Sequence, residues 1–247
     1  MASRVEIVKG TLGIGRQEWP SNVRFEEVRA SGSDFSGCLF HIFSATDATF
    51  DRCSFADVRI AFGQLGLNRT IYTDCTFNGA DLRGIDPGDA VFERCEFADT
   101  AISKWWSFCA EFVDCRFATR IVDSVFSATP KTCMSGRSRN RFRGNDFSGA
   151  ELHDTMFIGG IDLDQQRWPD SDDYLRIPHA ASRVTAALAT VADWQEPDRS
   201  NALVELHVLA RFAVDQPDLL IRPAGMDLPV ATTKRLCALL TERSDDG

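Results

Sequence analysis

The sequence predicts a mainly β fold, a parallel solenoid with four-sided rungs, followed by a small α-helical segment. Two periods point to it. A Phe-x-x-Cys-x-Phe skeleton recurs as Phe50, Cys53, Phe55; as Tyr72, Cys75, Phe77; as Phe92, Cys95, Phe97; as Phe112, Cys115, Phe117; and with Asn for Cys as Phe142, Asn145, Phe147. Ala30, Ser33 and Phe35 form a weaker first copy, and from Phe35 the last aromatic of each copy returns after 20, 22, 20, 20 and 30 residues. A period near 20 means one structural turn, repeated and stacked on itself. Inside each turn runs a period of five: large apolar residues stand at 92, 97 and 102 and at 112, 117 and 122, with Ala90, Cys95, Thr100, Ala110 and Cys115 two places before. A helix would return at three and four and a simple strand at two, so five fits neither. Four fives make a square rung, each side turning one small and one large residue inward, as extended backbone allows.

The elements follow in order. Residues 1–22 form a cap, in which VEIVKGTLGIG gives a short strand and Pro20 ends the segment. The coil spans 23–165, with Val23, Phe25 and Val28 leading into Ala30 and Phe35. The 22-residue rung is expected to hold its two extra residues near 59–61, so that the register resumes as Phe62, Leu67, Tyr72 and Phe77. Trp105 and Trp106 fall where a small inward residue and its neighbour belong, so at least one indole turns outward as an aromatic anchor for a partner. Residues 128–141 break the repeat as an inserted loop, and Lys131, Arg137, Arg139 and Arg141 on it suggest a basic finger. Phe142, Phe147, Leu152 and Phe157 close the coil. Residues 166–247 form a boundary segment and a helical module. Trp168 and Tyr174 plug the stack, and three amphipathic helices carry Val184, Leu188 and Val191, then Leu203, Leu206, Leu209 and Phe212, then Leu236, Leu239 and Leu240.

NGADLRG (78–84) and SGAELHD (148–154) resemble the A-(D/N)-L-x-x unit of pentapeptide-repeat proteins, with Ala80 and Leu82, and Ala150 and Leu152, as the inward pairs. The resemblance covers about three fifths of the chain and implies a right-handed quadrilateral β-helix. Some members of that family, the quinolone-resistance and self-immunity group, imitate duplex DNA and act on DNA gyrase as acidic rods joined by C-terminal elements. A gyrase-directed role, with resistance or self-immunity as its outcome, and a homodimer through the C-terminal helices are what the resemblance implies here.

Composition sets bounds. The net charge of -9 excludes a general nucleic-acid or membrane-surface binder, and no apolar run approaches a membrane span. The N-terminus lacks a signal-peptide apolar stretch, so the expected location is the cytoplasm. Cys53, Cys75, Cys95 and Cys115 are expected to stack as a ladder of buried thiols, and no Cys/His spacing suits a structural metal. No nucleophile elbow, P-loop or dinucleotide fingerprint occurs, so neither catalytic residues nor a cofactor is expected. Between residues 30 and 165 there are 19 acids and 13 bases, a net of -6, which is sparse beside duplex DNA with a charge every ~1.7 Å. The reading from the residues is therefore a non-enzymatic binding or scaffold protein with rigid walls, and the DNA mimic is the alternative.

Overall fold

In the computed structural model the described residues are 5–131, 133 and 136–241. Their larger part is a parallel β-solenoid, built because residues one period apart fall into register. Phe50 lies beside Tyr72, Tyr72 beside Phe92, Phe92 beside Phe112 and Phe112 beside Phe142. Four inward-facing walls result.

Wall one carries the aromatic stack Phe35, Phe55, Phe77, Phe97, Phe117 and Phe147, all fully buried. Successive rings lie 4.6 to 5.0 Å apart and almost parallel. Trp19 lies over Phe35 at one end, and Trp168 stacks on Phe147 at the other. Wall two carries Phe40, Ile60, Leu82, Ile102, Ile121 and Leu152, and wall four carries Phe50, Tyr72, Phe92, Phe112 and Phe142. Burying each such side chain stabilises the coil by roughly 1.5–3 kcal/mol.

The cysteine ladder forms as the sequence predicts: Cys53, Cys75, Cys95 and Cys115 are buried free thiols. Each of the last three donates to a carbonyl one rung back, Cys95 to Tyr72 O and Cys115 to Phe92 O at 3.4 Å. Burial pushes the Cys95 thiol well up, so it stays neutral. Asn145 ends the ladder by using both faces of its amide. Its Oδ1 accepts from Cys115 N at 3.0 Å, and its Nδ2 donates to Phe112 O at 3.0 Å and to Gln166 Oε1 at 3.1 Å.

At the corners the backbone turns through left-handed conformation, and Asp47, Asp57, Asp74, Asp99, Asp114, Asp123 and Asp154 all have positive φ there. Asp is one of the few residues that visits this region readily. Part of the acidity of the chain is thus set by the corners.

Three expectations about register need correction. The two extra residues of the long rung enter after Gln64, not near 59–61. Phe43 pairs with Gly63 and Ser44 with Gln64 at 20 residues, while Thr46 pairs with Leu67 across a bulge and Thr49 with Ile71. Phe62 therefore sits outside, 61% exposed, and Leu65 fills the core in place of the half-buried Leu67. Gly63 is required at the start of this irregularity, because its φ is +139° and a Cβ would meet Phe43 O at 1.7 Å. One residue is then missing before wall two of a later rung, where Ile102 pairs with Ile121. Ile121, not Val122, takes the inward slot.

The strand Glu6–Leu12 lies parallel to Asn22–Ser31 with a bulge between Lys9 and Gly10. At the other end come three helices, α1 (Ala180–Val191), α2 (Asp198–Ala213) and α3 (Val230–Thr241). They share a core of their own that includes Val184, Val191, Leu206, Leu209, Leu236 and Leu240. A short antiparallel pair, Leu175–Ile177 with Leu219–Ile221, ties this core to the coil. Gln216 is the bolt: its amide bonds Gly160 N, Ile161 N and Ile161 O on the last rung. Tyr174 accepts from Leu152 N through its hydroxyl, and Trp168 and Tyr174 both pack against the coil core, as a plug should.

Candidate protein-docking face

Wall three departs most from the repeat. Its first inward slot holds Val23, Phe43, Gly63 and Ile85 and later Trp105, Ser124 and Thr155; its second holds Phe25, Ala45, Leu65 and later Ser107, Phe126 and Phe157. Large and small trade places along the row. Phe43 precedes Ala45, Trp105 precedes Ser107, and Ser124 precedes Phe126. Trp105 is therefore inward and fully buried, beside Phe92, Phe97 and Phe112, with Nε1 donating to Leu82 O at 3.2 Å. The expectation that Trp105 contacts a partner is corrected: Ser107 leaves the volume that its indole takes. Trp106 does point out and is 50% exposed.

The basic loop is not a free finger. Arg141 pairs with Glu111 at 2.7 Å and with Glu93 at 2.9 Å, and Arg137 lies 3.5 Å from Glu111 and 3.8 Å from Asp89. Arg139 donates to Gly160 O. Glu111 is nearly buried, and two guanidiniums offset the desolvation of its charge. Arg137 and Arg141 hold the loop to acids beside Phe92 and Phe112 and Arg139 ties it to Gly160 O, so the loop is fastened to the coil, with Arg139 still exposed. Asn140 closes the loop, donating to Phe108 O and Ser127 O, each at 2.8 Å. Lys131 behaves differently. Its ammonium lies 4.5 Å from the centre of the Phe108 ring, a cation–π contact at an exposed position.

Trp106 and Lys131 are thus the two anticipated residues that the fold brings together, on a shallow groove of about 340 Å3 with Phe108, Asp86, Asn68 and Gln64. Cys109, also on the groove, is joined to Cys133 by a disulfide that fastens the loop. No spacing rule flagged this pair, because its halves belong to different rungs. Disulfides are rare in a reducing cytoplasm, so the bond weighs against the expected location. No described helix is long and apolar enough to cross a membrane.

Toward the N-terminal end the same face becomes acidic. Glu26, Thr46 and Leu67 lie in one row, and the corner beside it carries Glu27 and Asp47, the latter bonded by Asn68 Nδ2 at 2.9 Å. Lys9 pairs with Glu26 at 2.9 Å, a hydrogen bond that holds the Glu26 carboxyl below its usual range. Asp86 follows in register with Gln64 and is exposed. Arg24 opens the row that leads to Asp86 and lies 3.7 Å from Glu26. The acidic excess of this face therefore rests on Glu27, Asp47 and Asp86, which lead into the aromatic groove. The outer row of wall one holds Asp34, Ser54, Thr76, Glu96, Arg116, Asp146 and Arg167, where acids and bases are interspersed and Arg116 pairs with Glu96 at 2.6 Å.

No family model and no curated protein matches the chain. Among solved structures, full-length QnrB1, a plasmid-mediated fluoroquinolone resistance protein, is similar at 16% identity, over 67% of this chain and 82% of that one, with a TM-score of 0.30. A trypsin-treated variant of QnrB1 is similar at 16% identity over 66% and 78%, with a TM-score of 0.29.

Proposed function

We propose that this protein is a non-enzymatic docking protein that engages a protein partner through wall three. The observation that carries the reading is the acidic edge of Glu27, Asp47 and Asp86 running into the exposed groove of Trp106, Phe108 and Lys131. An aromatic anchor flanked by charge is the usual make-up of a protein-binding hot spot. The stacked walls keep it rigid, so little ordering entropy is lost on binding. The edge fits a partner with a basic surface, and a surface built to hold DNA is necessarily basic. DNA gyrase, the partner that the repeat resemblance implies, is therefore the one we propose first, with altered fluoroquinolone response as the outcome.

The test is direct binding of the purified full-length protein to gyrase, together with supercoiling assays with and without a fluoroquinolone. Trp106→Ala and the triple change Glu27→Gln, Asp47→Asn, Asp86→Asn should each weaken binding. Equal binding by all variants would reject wall three as the docking face. Binding lost with Trp106→Ala, to a partner other than gyrase, would keep the face and reject the partner. Sedimentation of the same samples tests the expected homodimer, for which Val204 on α2 and Val230 on α3, 63% and 73% exposed, are apolar positions.

A further inference from the structure

The disulfide on the groove of wall three has a carboxylate beside it. Asp89, Cys109 and Cys133 each bring one atom able to hold a metal, and these atoms all lie within 4.8 Å of one another. Asp89 and Cys109 sit at equivalent positions of successive rungs, and Cys133 reaches them from the inserted loop. Asp89 is buried, the two cysteines are half-buried, and both Asp89 and Cys109 line the groove. The other six cysteines of the chain are free thiols. A pair that is joined in an oxidising compartment is a dithiol in a reducing one, where paired cysteines more often serve a metal.

We propose that, once the disulfide is reduced, Cys109, Cys133 and Asp89 bind a zinc ion. A small dithiol supplies the reduction: it becomes a disulfide itself, and two electrons and two protons pass to Cys109 and Cys133, which separate as thiols. Zinc then displaces a proton from each thiol. Thiolates select zinc over the hard ions magnesium and calcium. Zn–S bonds of ~2.3 Å in a tetrahedron place two sulfurs roughly 3.8 Å apart, a spread that Cα atoms 5.6 Å apart allow. Two thiolates and a carboxylate overbalance a divalent ion by a single negative charge, and the Arg137 guanidinium, 3.8 Å from Asp89, is placed to offset it. Three protein ligands leave a fourth position for water. The site does not depend on which partner docks on wall three.

The full-length protein is prepared oxidised, and again after reduction with dithiothreitol that is then removed without air. Each form is titrated with zinc by calorimetry and with cobalt by absorbance, since cobalt–thiolate bonds give charge-transfer bands. The reduced form should take up one metal per chain, show those bands and release protons, and the oxidised form should do none of these. The double change Cys109→Ser, Cys133→Ser should abolish the uptake. Asp89→Asn should weaken it by more than the roughly 10–100-fold that loss of a mere supporting contact costs. The two forms of the unaltered chain carry the test even where a substitution prevents folding. The proposal is overturned if the reduced form takes up no zinc, if the oxidised form binds as tightly, or if the double serine variant binds like the reduced parent. Unchanged affinity in Asp89→Asn would overturn the three-ligand site.

Discussion

Wall one and wall three are made from the same five-residue segment, yet one is a near-crystalline row and the other is irregular. On wall one every rung puts a large ring in the same slot, the rings lie flat on each other, and the outer charges pair between rungs. On wall three the large residue moves between slots, a bulge enters, and a loop is inserted. The difference teaches that the large and small members of an inward pair can exchange slots, as in Phe43/Ala45, Trp105/Ser107 and Ser124/Phe126, without breaking the rung. A wall freed from strict order can expose aromatics and form a groove. A wall with perfect order spends its outward side chains on itself.

Four measurements would break or sharpen that contrast. Phe97→Ala removes a ring from the regular stack and should cost ~3–5 kcal/mol in denaturant unfolding. Trp105→Ala should cost about as much, ~3–5 kcal/mol, even though its position in the repeat calls for a small residue. A cost for Trp105 as small as that of a surface change would overturn the traded-slot account. Asn145→Ala strands Cys115 N and Phe112 O at the end of the thiol ladder and should cost ~1–3 kcal/mol, the penalty for buried groups left unpaired. Trp106→Ala should leave stability within ~0.5 kcal/mol, as surface changes do, and a large loss would remove it from any docking role.

The smallest effect concerns pH. Asp74 is held below the usual carboxylate range by its hydrogen bond from Arg94, and Glu96 by hydrogen bonds from Asn78 and then Arg116. Their folded values lie below the unfolded ones, so the stabilisation is present above the unfolded range near pH ~4. It is lost as pH falls through the folded values. These groups are largely exposed, so the loss should be slight and should fade at high salt. A melting temperature that rises between neutral pH and about pH 3 would contradict the sign.

The wall-one stack was legible because its residues repeat in identity as well as position: Phe55, Phe77, Phe97 and Phe117 fix a register that nothing competes with. Phe62 misled because an apolar residue at the right count looks like core, and only the Gly63 backbone shows that the chain bulges just after it. Val122 misled because a single residue is missing before it, and Ile121 is equally apolar. Trp105 was unreadable without knowing that Ser107 shares its space. The loop arginines looked free because their acids, Asp89, Glu93 and Glu111, lie a rung or more upstream, and charge neutralisation across rungs leaves no local signature. The groove was half legible: Trp106 and Lys131 were in view, whereas Phe108 joins them only once the loop folds back. Of the helical module, the three helices were apparent from their apolar spacing, but not the Gln216 contact that fastens it.

A parallel coil has a difficulty at its tips, where the last strands offer unpaired backbone groups and a bare ring that another molecule could continue. Trp19 closes one tip with an indole tilted across Phe35, and the charged, bulged strand Glu6–Leu12 lies in the same terminal turn. Trp168 closes the other, with the helices bolted beyond it. The same period that builds the core would, without these ends, direct growth of a filament from molecule to molecule. The two tryptophans are stop signals, and they set the length of the rod within a single chain.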